Sequence, residues 1–537
     1  LISGLILSLA GCSDFTTYRS CLVPEELLEK HPGSETLSAD FSDRINAVLK
    51  QAKENKSELT KVLTHYADQG DYLKCKAAEF LMANMGTHYY SRVYNVDSNG
   101  NTVPYNSLEY ENFDKAQAAW DAVEAKYPKL KQKVEKVWDS ETIKSEYLIS
   151  DIDLAFLVWQ SRPWARDVTF DTFCNFILPY RGSNEPIGRW REKCIDGAKP
   201  QLADVQDLTD KTALRKAFSQ TQNRWVKFQT KVYLHPTDQG FEEMLESRVG
   251  RCEDLSNMLI FVNRANGLPT TSDFTPAWPK GDNNHAWEMI LDGHGRPLNK
   301  RRFGIVAKIY RKMFAEQQDL PYFNKKKGEV LPHFLKGATY LDVTAEYLEN
   351  TTTVTILITE AIPDKCSWAY LSVFNTGSWV PIVSGRIDNA TKQVTFPTVG
   401  RDIMYRPVFC VPDEEKDLRL ISAAPVVIVE KGGEVRVLNK KVEEHGPTIP
   451  VTIIQTKDVQ INPDTGKPEK TLQVEPDKEY ELFYFDKQWV SLGKKTSTHT
   501  TLVYDNLPPD RLYRLRDLNG RDNERPFTVE NGKQVLW

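Results

Sequence analysis

The sequence predicts a multidomain α+β protein, with an α-helical N-terminal domain, an α+β core and two C-terminal β-sandwich domains. Three observations carry this. Apolar residues recur at helical spacing from Ala39 to about Pro200. Beyond Asp342 they fall into short alternating or β-branched runs between turn signals. Those runs then occur twice in the same order. The chain has 537 residues, room for three or four domains at roughly 150 residues each.

In the helical part, Leu59, Val62, Leu63 and Tyr66 share one face, as do Leu73, Ala77, Phe80 and Leu81, with Gly70 as a stop between them. Asn101–Asn106, with Pro104, breaks the pattern. It resumes through Ala116, Trp120, Val123 and Tyr127, and again over Ile149–Trp159. Core packing explains these stripes, and explains the aromatics Phe173, Phe176, Tyr180 and Trp190 better than a ligand cage does.

In the β part the runs are Val354–Thr359, Trp368–Val373, Val394–Phe396 and Val426–Val429. Phe374, Trp379-Val380, Gly385, Val394-x-Phe396 and Tyr405 are echoed by Phe483–Phe485, Trp489-Val490, Gly493, Leu502-x-Tyr504 and Tyr513. Two such units of roughly 90 to 100 residues suggest tandem sandwiches. The aromatic ladder fits inner-face positions better than a sugar platform. The expected boundaries are 1–32, 33–205, 206–341, 342–440 and 441–537.

A composition of 40% hydrophobic and 27% charged residues predicts that most of the chain folds. Lys plus Arg is 69 against 74 for Asp plus Glu, a net charge of -5, so no nucleic-acid partner is expected. Leu1–Gly11 is uncharged and about half the ~20 residues that span a bilayer. Leu9-Ala10-Gly11-Cys12 resembles the lipobox of bacterial lipoproteins. The resemblance implies a lipid anchor on Cys12, residues 13–32 as a tether, and a folded body attached to the membrane outside the cytoplasm, in a bacterial cell envelope. Of the eight cysteines, six besides Cys12 and Cys252 are then free to pair, with Cys174–Cys194 and Cys366–Cys410 the first pairs expected. No spacing is C-x-x-C, and neither a metal nor an organic cofactor has a visible site.

The chemistry concentrates around Gly250-Arg251-Cys252-Glu253-Asp254. Leu255, Leu259, Val262 and Ala265 make Cys252–Ala265 an amphipathic helix that stops at Gly267, which puts Cys252 in the first turn. There the positive end of the helix dipole favours an anionic sulfur. Downstream, Asn283-Asn284-His285-Ala286-Trp287-Glu288-Met289-Ile290-Leu291 reads as a strand, Asp292-Gly293 as a turn, and Gly295-Arg-Pro-Leu298-Asn299 as its return. A hairpin of this kind sets the Asn299 side chain beside the His285 imidazole, so that the other ring nitrogen faces a thiol. Asp292 is the reserve candidate for that orienting role.

Gly-x-Cys-x-Asp opening a helix, Arg264-Ala-x-Gly-Leu-Pro269 closing it, His285-Ala-Trp on a strand and Asn299 a hairpin later resemble the transglutaminase-like superfamily, papain-type in its core. Phe173–Arg181, Asn184-Glu185-Pro186, Trp190-Arg191 and Asp342-Val-Thr-x-x-Tyr347 look similar to bacterial lipoproteins that carry this core between helical and β modules. The resemblance implies Cys252 as nucleophile, His285 as base and acid, Asn299 as orienter and the Cys252 amide as an oxyanion donor. Asn299 stands where the superfamily usually has Asp. The implied activity is thiol-dependent amide hydrolysis, favoured over cross-linking, on a peptide, protein or glycopeptide. The rival is a non-catalytic scaffold lipoprotein whose β modules grip a glycan or a protein.

Overall fold

The computed structural model describes residues 17–298, 303–414, 417–438, 451–453 (backbone), 474–504, 507–508, 510–518 and 525–537. Cys12 and Asn299 lie outside the described residues. The chain forms two compact units: Leu1–Ser272 with Glu288–Leu298 and Met313–Glu316, and Asp273–Trp287 with Asn299–Lys312 and Gln317–Trp537.

The first unit is mainly helical. Lys56–Gln69 buries the predicted Leu59, Val62, Leu63 and Tyr66, and stops at Gly70, whose φ of 68° is the left-handed cap that glycine supplies without strain. Tyr72–Asn84 follows and is buried from Cys75 to Asn84. One apolar core runs from these helices, through Phe156, Phe173 and Trp190, to Met258, Phe261 and Val262 of the Cys252 helix. Leu214, Phe218 and Val226 belong to the same core. Tyr89–Val96 pairs antiparallel with Lys131–Trp138, and Thr102–Val103 adds a short edge. The region expected to be wholly helical thus contains a three-stranded sheet. Tyr89–Val96 is rich in aromatic and β-branched residues, whose strand preference overrides the surrounding helical pattern.

The expected tether is largely docked. Cys21 is disulfide-bonded to Cys75. Glu79, fully buried in a helix, must find donors, and the N-terminal segment supplies them: Tyr18 Oη–H at 2.7 Å, Ser20 Oγ–H at 2.6 Å and the Cys21 N–H at 2.6 Å. Lys76 completes the set at 2.9 Å. The pairings expected from sequence do not form: Cys174, Cys194, Cys366 and Cys410 are buried free thiols. Cys366 instead lies with its sulfur 3.5 Å from the Cys410 carbonyl oxygen.

In the second unit the repeat is real. The first copy runs in the order Thr352–Leu357, Gln393–Val399, Ser378–Asp388, Trp368–Asn375, Ile403–Asp413, Val427–Val429, Val435–Val437. In the second the order is Gln488–Thr496, Glu479–Asp486, Tyr513–Asp517, Phe527–Glu530, Lys533–Leu536, Val451–Ile453, Leu502–Tyr504. Five strands correspond in order, from the hairpin bearing Trp379 or Trp489 onward. Phe374 pairs across with Trp379 as Phe485 does with Trp489. Among the described residues, the strands of each copy are paired continuously from one end of this order to the other. The first rolls on itself: Arg401 donates to Thr352 Oγ1 at 2.7 Å at one end and to the Gly432 carbonyl at 2.9 Å at the other. The ladders of the two copies pack together, with Trp379 and Phe485 ring centroids 5.9 Å apart. The corresponding arginines bracket them: Arg406 lies over Trp379 and Phe485, and Arg514 over Phe374 and Trp489.

No helix among the described residues is long and apolar enough to cross a membrane.

Candidate active site

Cys252 is the first residue of a 14-residue helix, Cys252–Ala265, the span that the apolar spacing predicts. Its amide therefore has no acceptor inside the helix. Its thiol is free and partly exposed. Tyr233, a half-exposed residue in the short turn Thr230–Leu234, is the neighbour of Cys252. Burial and then the nearby sulfur raise the Tyr233 pKa, so the phenol keeps its proton.

Asp254 fixes the start of this helix from below. It is wholly buried, and its carboxylate accepts from the Arg251 N–H at 2.9 Å and the Gln239 N–H at 3.3 Å. Burial pushes the Asp254 carboxyl up to about 6 against the pull of the Arg251 amide and guanidinium. Arg251 in turn pairs with Asp238. The glycine of the Gly-x-Cys motif has a steric role: a Cβ on Gly250 would lie 2.8 Å from Asp254 Cβ and 3.3 Å from Val226 Cγ1.

The far end of the helix is anchored by Arg264. Its buried guanidinium donates to the Thr270 carbonyl at 2.8 Å and the Pro179 carbonyl at 3.2 Å. Burial, with Arg191 close by, draws the Arg264 pKa down to about 9. Arg181 pairs with Asp139, and Arg191 with Asp151 at 2.7 Å, while Glu185 accepts from the Gly182 and Ser183 amides at 2.7 Å. The Phe173–Arg191 motifs thus supply a buried polar frame beneath the helix.

His285 begins the strand His285–Ile290 and belongs to the second unit. Its ring stacks with Trp278 and Trp287, with centroids 6.4 and 5.5 Å away. Trp287 Nε1 donates to Tyr347 Oη at 3.1 Å, and Tyr347 donates to Asp273 Oδ2 at 2.6 Å. Arg311 grips the same carboxylate with two contacts of 2.9 Å. This chain explains the motif ending in Tyr347: it sets the indole against which the His285 ring lies. Asp273, Arg311 and Tyr233 were not singled out in the sequence, since nothing in its spacing marks a contact between strands or between turns.

The return of the predicted hairpin forms in the first unit, where the Leu298 N–H donates to the Ile290 carbonyl at 3.0 Å. Asp292 is occupied in the turn, its Oδ1 accepting from the His294 and Arg296 amides at 2.8 and 2.9 Å. Thus Cys252 stands with Tyr233, His285 with its two indoles, and Asp292 is held by the turn itself.

Residues 198–296 match the model of the transglutaminase-like superfamily. The chain therefore carries a transglutaminase-like domain, and both Cys252 and His285 fall within it. A domain of this kind suits cysteine-based acyl transfer or peptidase-type chemistry. Comparison with curated proteins finds no match.

Proposed function

We propose that this protein is a lipid-anchored cell-envelope enzyme that hydrolyses amide bonds of extracytoplasmic peptides or glycopeptides through a cysteine thiolate. Cys252 sulfur attacks the carbonyl carbon while His285 takes the thiol proton. The C–N bond then breaks, His285 returns the proton to the departing amine, and water hydrolyses the thioester. Asn299 orients the imidazole, and the Cys252 amide stabilises the oxyanion. Cys12 carries the lipid. The observation that supports this most is a partly exposed free cysteine opening a helix inside a transglutaminase-like match.

A thiol-directed, amide-like probe tests it. Cys252 labelled at least tenfold faster in the native protein than in His285→Ala, with no label in Cys252→Ala, supports the enzyme. Equal slow labelling in the native and His285→Ala proteins refutes it and leaves the anchored scaffold. Ammonia release from a glutamine peptide without incorporation of an added amine separates hydrolysis from cross-linking.

A further inference from the structure

In the first unit, away from Cys252, lies a cavity of 690 Å³, within the size range of small-molecule sites. Trp159 and Phe170, both buried, stand behind its lining, and the His31 ring leans over them with centroids 6.4 and 6.1 Å away. The walls are tied down. Asp171 accepts from Ser34 Oγ–H at 2.9 Å and from the Glu35 and Thr36 amides at 3.0 and 2.9 Å, which holds the wall from His31 to Ser34. The Thr169 N–H donates to the Gly293 carbonyl at 2.9 Å, and a Cβ on Gly293 would lie 2.1 Å from the Asp167 carbonyl oxygen, so the turn bearing His294 is pressed against the opposite wall.

The charges in these walls are unequal in their availability. Both acids are already engaged, Asp171 by the three donors above and Asp167 by Lys211 Nζ at 2.8 and 3.0 Å. Lys30 and Arg166 also line the cavity, both are exposed, and neither has a carboxylate within ion-pair distance among the described residues. What remains for a ligand is two cationic heads and two imidazoles, from His31 and His294.

We infer that this cavity binds a small organic anion, its acid group held by Lys30 and Arg166 and its ring lying against the His31 and His294 imidazoles. A carboxylated sugar and an aromatic carboxylate share that chemistry. The site is separate from the thiol, so the inference stands or falls independently of the proposed amidase.

Isothermal titration of the full chain with glucuronate and with benzoate tests it, with glucose and benzyl alcohol as uncharged counterparts. Saturable binding of one of the acids, at least tenfold tighter than its uncharged counterpart, is expected; which acid binds identifies the sugar or the aromatic class. In Lys30→Glu/Arg166→Glu, two exposed substitutions, affinity for that acid drops at least tenfold while the circular dichroism spectrum is unchanged. The inference is overturned if neither acid binds saturably, or if the charge-reversed protein binds as tightly as the native one.

Discussion

Gly250 and Asp254 are packed so closely that the first has no room for a side chain: a Cβ there would meet Asp254 Cβ at 2.8 Å. Asp254 cannot retreat easily, since it is fully buried and holds the Arg251 and Gln239 amides. Gly250→Ala should therefore displace the first turn of the Cys252 helix and cost about 1–3 kcal/mol, as overpacked sites do. Gly281→Ala, where the nearest atom is an ordinary 3.5 Å away, should cost little. Urea denaturation of both variants checks the contrast.

Tyr233→Phe keeps the ring and removes the protonated hydroxyl near the Cys252 sulfur. A hydroxyl able to donate to a thiolate contributes on the order of 1 kcal/mol, which corresponds to roughly fivefold. Alkylation of Cys252 by iodoacetamide at neutral pH should slow by about that factor. Because Tyr233 is half-exposed, melting temperature should hardly change. Faster alkylation in the variant would mean that the phenol shields the sulfur rather than stabilising its anion.

These local relations also define what could be read from the sequence. Leu59–Tyr66 and Cys252–Ala265 were legible because a helix repeats its buried face every three to four residues, and Gly70 and Gly267 end their helices with positive φ. The β repeat was legible because Trp379 and Trp489 occupy the same hairpin position. Contacts between distant segments left no periodic trace. Tyr18 binds Glu79 across 61 residues and Tyr347 binds Asp273 across 74, so the docked tether and the support of Trp287 were both missed. The cysteine pairing failed for the same reason: a shared expected domain favoured Cys174 with Cys194, whereas folding brought Cys21 to Cys75.

Asp254 gives stability a pH dependence of definite sign. Its carboxyl titrates near 6 in the fold and near 3.8 in the unfolded chain, so the fold favours the protonated form. The resulting stabilisation is complete below the unfolded value and is lost as pH rises through about 6. The shift corresponds to on the order of 2–3 kcal/mol. Native protein should thus lose stability from pH 4 to 7 relative to Asp254→Asn, in which the site does not titrate. Denaturation midpoints of the two proteins across that range check it, and parallel curves would exclude the effect.

Tyr347→Phe should act on His285 at a distance. The hydroxyl is both acceptor for Trp287 Nε1 and donor to Asp273, and removing it leaves two buried polar groups short of a partner. A cost of about 1–3 kcal/mol follows. Trp287, no longer held at its nitrogen, should lose its fixed stacking with the His285 ring, so the histidine resonances should broaden or shift in a 1H–15N spectrum. Glu346→Gln, which touches the outer side of Arg311 instead, should leave those resonances in place.

The Cys21–Cys75 bond closes a loop with a sequence separation of 54, so its loss gives the unfolded chain considerable freedom. Cys21→Ser/Cys75→Ser should lower stability by roughly 2–4 kcal/mol. Local consequences are equally specific. Tyr18, Ser20 and the Cys21 amide would still be drawn to Glu79 by their hydrogen bonds, but without a covalent hold the segment would open more often. Trypsin should then cut at Arg19 in the variant under conditions in which the native protein resists. Reducing agent should reproduce the cut in the native protein and leave the variant unaffected, whereas cleavage at equal rates in both oxidised proteins would show that the hydrogen bonds alone hold the segment in place.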